Sequence, residues 1–163
     1  MRRMSCTVVA TGLGLAGAVA SAAPAAADAR ASYGSYVSYA SYGLSVVGGA
    51  NHRRPVPGET QVLRWTVTNT GTRAWSRVRL QVTVPARWRA RRAAGCHAAG
   101  HRLSCELGRL AARAHRRATI RLVVPARPRY GTVHVRATTR AWSGRYAFVG
   151  PAASFPLTVV RAR

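Results

Sequence analysis

Between Val62 and Pro85 the chain reads VLRWTVTNTGTRAWSRVRLQVTVP. Taken two residues at a time, Leu63, Trp65 and Val67 share one face, and so do Val78, Leu80, Val82 and Val84. Arg64, Thr66 and Thr68, then Arg79, Gln81 and Thr83, fall on the opposite faces. This alternation predicts half-buried antiparallel strands. Asn69-Thr70-Gly71-Thr72 lies between the two runs, and Asn and Gly tolerate the positive φ of a tight connection. The sheet has one apolar face that another layer must cover.

Short strands of the same kind recur along the chain. Leu44 to Val47 is closed by Gly48-Gly49, and Pro55, Pro57 and Gly58 mark a loop into Val62. Pro85 ends the second central run, and a long basic loop comes next. Leu103 to Leu107, Ala118 to Val124, Thr132 to Ala137 and Phe155 to Val160 complete the set. About seven strands with Gly/Pro/Asn turns and no helical period predict an all-β, two-sheet Greek-key sandwich spanning residues 44–163. At 163 residues the chain suits one such domain. An apolar content of 48 % is ample for a core.

The amino terminus reads differently. A basic start, Met1-Arg2-Arg3-Met4, precedes an uncharged stretch from Val8 to Ala20. Such a stretch rises about 20 Å as a helix, short of the roughly 30 Å needed to span a bilayer, and fits the apolar region of an export signal. Ala27-Asp28-Ala29 offers a cleavage site before Arg30, with Ala25-Ala26-Ala27 as a second candidate. Residues 1–29 are therefore expected to be removed, Cys6 with them, leaving a secreted chain with the option of cell-wall association. Arg2-Arg3 leaves the general and twin-arginine export routes both open. Residues 30–43 form a Ser/Tyr-rich tether. Tyr33, Tyr36, Tyr39 and Tyr42 recur every third residue, a spacing that aligns only on an extended threefold helix. That ladder reads either as an unpacked tether or as an aromatic stripe for stacking on sugars.

The net charge is +23, and every one of the 26 basic residues is arginine. The acids are Asp28, Glu59 and Glu106. Removing Arg2, Arg3 and Asp28 with the leader lowers the charge by one, to +22. This balance attracts polyanions such as cell-wall polymer, acidic lipid or nucleic acid. Arg and Ala both draw on GC-rich codons, so a purely compositional origin stands beside that reading. Arg64, Arg79, Arg121 and Arg136 fall on outward positions of different strands, as in a solvated shell. The densest cluster is Arg87-Trp88-Arg89-Ala90-Arg91-Arg92. Its arginines could grip a polyanion while Trp88 stacks on a ring, or Trp88 could fold back over the edge of the core.

Catalytic groups are scarce. Glu59 and Glu106 alone remain for general acid–base work, and no aspartate survives for a Ser-His-Asp arrangement. Calcium, phosphate-loop and cofactor chemistry lack their usual ligands. No enzyme activity, metal or cofactor is expected. Cys96 and Cys105 enclose eight residues, and in an exported chain a disulfide is the expected state. Cys96, His97, His101 and Cys105 could instead supply a zinc ion, but the nested C-x2-4-C pair typical of zinc sites is missing.

Val67-Thr68-Asn69-Thr70-Gly71, Val84-Pro85, Gly95-Cys96, Leu103-Ser104-Cys105 and Leu107-Gly108-Arg109-Leu110 occur in that order. Together they resemble the domain of unknown function eleven, a conserved-repeat module of bacterial secreted and surface proteins, over about residues 44–141. The resemblance implies an immunoglobulin-like sandwich, an extracytoplasmic setting and no catalytic role. Its usual glycine after Ala111-Ala112 is replaced here by Arg113. The expected role is a non-catalytic interaction module whose partner is another surface protein or an anionic cell-wall polymer, with nucleic acid a lesser option.

Overall fold

The computed structural model describes residues 36–37 and 43–162; the leader and all but three residues of the tether lie outside them. The strands are β1 (Tyr36–Val37), β2 (Leu44–Ala50), β3 (Thr60–Asn69), β4 (Trp75–Thr83), β5 (Arg89–Ala93), β6 (Cys96–Ala99), β7 (Arg102–Leu110), β8 (His115–Val123), β9 (Gly131–Ser143) and β10 (Tyr146–Val159). They form two five-stranded antiparallel sheets, β1-β2-β3-β8-β5 and β10-β9-β4-β7-β6, packed as a sandwich.

Alternation placed the core correctly. Leu63, Trp65 and Val67 of β3 are buried, as are Val78, Leu80 and Val82 of β4, Ile120 and Leu122 of β8, and Phe155 and Leu157 of β10. The two central runs, however, belong to opposite sheets, so residues 70–74 carry the chain across the sandwich rather than round a hairpin. The physical reason is burial: each run has one apolar face, and facing each other removes both from water. Neither Asn69 nor Gly71 takes a positive φ. Asn69 acts instead through its buried side chain. Its Nδ2 donates to the carbonyls of Arg73 (2.8 Å), Leu110 (3.4 Å) and Ala111 (3.0 Å), and its Oδ1 accepts from the Gly71 amide (3.0 Å).

Three strands exceed the expected set: β1, β5 and β6. The first strand also runs through Gly48-Gly49 instead of stopping there. Trp65 explains this, because it sits opposite Gly48 on one neighbour and Ala118 on the other. Small residues on both sides make room for the indole, whose ring also meets Phe155 at a centroid distance of 5.3 Å across the sandwich. Tyr36 and Val37 pair with Gly48 and Val47, so this short piece of the expected tether adds a strand to the sheet.

Cys96 and Cys105 stand directly opposite on β6 and β7 and form a disulfide with Cα atoms 3.9 Å apart. The bond takes both sulfurs, which removes the zinc alternative.

Candidate functional site

The densest arginine run sits at the end of the sandwich where β4 leaves its sheet. Pro85 closes a tight turn in which the Trp88 amide donates to the Pro85 carbonyl at 3.2 Å, and Arg87 takes φ 71°. A non-glycine residue there is held at a cost, a feature that gathers at binding sites. The turn swings Trp88 inward until only 4 % of it is exposed. Its ring belongs to the core, so the stacking role considered for Trp88 gives way to packing: an isolated ring gains more from apolar neighbours than from water.

The segment after Trp88, expected to be loop, is instead β5, an edge strand on β8. Its register slips between Ala90 and Arg92, so Arg91 is the extra residue of a bulge. A bulge re-aims side chains and blunts an edge against further strand pairing. Arg87, Arg89 and Arg91 are all exposed. Arg92 stands opposite Arg121 in the ladder, and its side chain lies outside the described residues.

Two grooves meet at this turn. One, of about 910 Å³, is lined by Arg87, Arg89 and Arg91 on one side, Arg127 after β8 on another, and His101 from the β6–β7 hairpin. The other, of about 720 Å³, shares Arg87, Trp88 and Arg127 and adds Arg129 and His134. No carboxylate lines either. Arg127 and Arg129 are the residues that sequence reasoning missed, because Pro125 and Pro128 read only as strand punctuation. The alternating Pro-Ala-Arg-Pro-Arg composition of 125–129 was the available signal.

The two described acids are already engaged. Glu59 Oε1 contacts His52 Nε2, while its Oε2 accepts from the Val56 amide at 2.9 Å. Glu106 Oε1 accepts from Arg79 Nε on the outer face of the other sheet. The grooves offer several guanidinium forks to an anion, each able to hold a phosphate, sulfate or carboxylate by two parallel hydrogen bonds.

Residues 56–141 match the model of the NPCBM-associated, NEW3 domain of alpha-galactosidase, a stretch that contains the disulfide and every groove residue named above. Among solved structures the chain is similar to the CARDB domain of the PF1109 protein from Pyrococcus furiosus, in complex with di-metal ions. That similarity runs at 14 % identity over 75 % of this chain and 90 % of the other, with a TM-score of 0.47. It is also similar to AvmM, which catalyses macrocyclization in alchivemycin A biosynthesis, at 14 % identity over 75 % of this chain and 95 % of the other, with a TM-score of 0.43. No curated protein matches the chain.

Proposed function

The chain belongs to the family of the NPCBM-associated, NEW3 domain of alpha-galactosidase, and on that premise we propose that it is a non-catalytic accessory module of an extracellular or surface protein. The observation that carries this is the fate of the carboxylates: Glu59 and Glu106 lie in different parts of the sandwich, each already engaged by a neighbouring base. The motifs that resemble the domain of unknown function eleven support the same use. Export through residues 1–29 belongs to this reading. Its test is the mass of the chain recovered from the culture medium, which should begin at about residue 30; an intact leader on the exported chain would reject it.

The site itself favours a more definite role. The module binds a polyanion through the two end grooves, with Arg87, Arg89, Arg91, Arg127 and Arg129 as the contact residues. Their convergence from the β4–β5 turn, β5 and the β8–β9 connection supports this over an evenly solvated shell. Retention on immobilised heparin across a salt series tests it. Binding by several arginines should fall steeply with salt, by a slope of roughly one unit per neutralised charge. Replacing all five by Ala should flatten that slope. Equal retention of the parent and the variant would reject the grooves as the site.

A further inference from the structure

The grooves open onto a second basic surface, the outer face of the sheet β10-β9-β4-β7-β6. His101 lines the first groove, and Arg102 comes directly after it at the start of β7. Arg102 pairs opposite Thr83, and Thr83 pairs opposite Arg136. The two exposed arginines thus flank one threonine in a single row across three strands, about 10 Å apart at the usual strand spacing. His134 of the second groove lies two residues before Arg136 on the same face of β9. Four residues further along β9, about 14 Å away, comes Arg140, opposite Arg79. Between the two basic rows runs a polar one, Thr138–Gln81–Ser104.

The second basic row has an electrostatic oddity. Arg79 and Arg140 are directly opposed, an arrangement that repels. Glu106 neutralises Arg79, but the neighbours of Arg140 in its row are Arg79 and Val149. An anion lying along β9 would give Arg140 the counter-charge that Glu106 gives Arg79.

We propose that the outer face of this sheet extends the end grooves into a continuous track, Arg102–Arg136–Arg140, for a long anionic glycopolymer. The proposal rests on the groove reading and adds to it the length of the ligand and the path it takes. A glycopolymer suits the surface better than single-stranded nucleic acid, which needs unobstructed rings for base stacking. Trp88 is buried, and the rings of Trp142, Tyr130 and Tyr146 are already faced by the guanidiniums of Arg77, Arg161 and Arg145 at 4.0, 5.5 and 5.3 Å from their centroids.

The experiment compares binding of the full chain to a heparin tetrasaccharide and to a long heparin fragment by isothermal titration, with single-stranded DNA of matched length as competitor. The groove holds the short probe and the track adds contacts only for the long one. The parent should bind the long fragment at least about tenfold more tightly per site. The triple variant Arg102→Ala, Arg136→Ala, Arg140→Ala should bring that ratio close to one while holding the tetrasaccharide affinity within about twofold. Glu106→Gln, which releases Arg79 to the track, should raise long-fragment affinity alone. An unchanged length ratio in the triple variant overturns the track and leaves the groove intact. Tetrasaccharide binding that survives Arg87→Ala, Arg89→Ala and Arg127→Ala overturns the groove, and the track falls with it. DNA that binds as tightly as heparin overturns the glycopolymer assignment. Circular dichroism of each variant establishes that it is folded.

Discussion

The indole of Trp65 fills the space that a side chain on Gly48 would need: a Cβ built there meets Cε3, Cζ3 and Cη2 of the ring. The two residues are register partners on β3 and β2, and the ring reaches on to Phe155 in the opposite sheet. One glycine therefore sets how closely the first layer can pack on the second.

Gly48→Ala should for that reason be among the more damaging single-methyl additions in the chain. Overpacking a closed core costs typically 1–3 kcal/mol, about that much here. The check is the midpoint of thermal or urea unfolding monitored by circular dichroism. A double variant, Gly48→Ala with Trp65→Leu, should recover part of the loss relative to Trp65→Leu alone.

Asn69 is fully buried, and its amide ties the chain's crossing between sheets to the β7–β8 connection. Asn69→Ala leaves the carbonyls it bonds to find new donors, and leaves the Gly71 amide with only the Gly43 carbonyl at 3.2 Å. The expected loss is about 2–4 kcal/mol, read from urea unfolding. Asn69→Asp should be no milder, because a carboxylate would face three carbonyls where an NH2 group now donates.

The Cys96–Cys105 bridge closes a short loop at the sheet edge, and its removal should cost roughly 2–3 kcal/mol. Reductant should lower the unfolding midpoint of the parent and leave that of the Cys96→Ser, Cys105→Ser variant unmoved.

Arg87 and Arg113 hold φ angles of 71° and 59°. Glycine reaches that region at no steric cost, so Arg113→Gly should stabilise by about 0.5–1 kcal/mol. Arg87→Gly should stabilise similarly while weakening heparin retention. Opposite signs at one position would mark Arg87 as a residue kept for binding; a loss of stability with unchanged retention would argue the reverse.

Much of the sandwich was legible residue by residue. The inward sets Leu63/Trp65/Val67 and Ile120/Leu122/Val124 follow from period two, because successive side chains in a strand must point to opposite faces whatever the strand pairs with. The cysteine pairing was equally local: nine positions of separation across one hairpin leave few other partners. The sugar-stacking reading of the tyrosine ladder stays with Tyr33, Tyr39 and Tyr42, which lie outside the described residues. Arg113 stands where the resembled family carries glycine, and the left-handed φ found there is the conformation that glycine would serve.

Which side chains face inward, the disulfide that closes the 96–105 loop and the basic surface could all be read from the residues alone, since they depend only on alternation, proximity along the chain and composition. Long-range packing set the rest: the two central runs lie in opposite sheets, Trp88 turns into the core, and Arg127 and Arg129 join Arg87 at one end. Those outcomes depend on which apolar faces bury against each other across long stretches of chain, and local period carries no record of the partner.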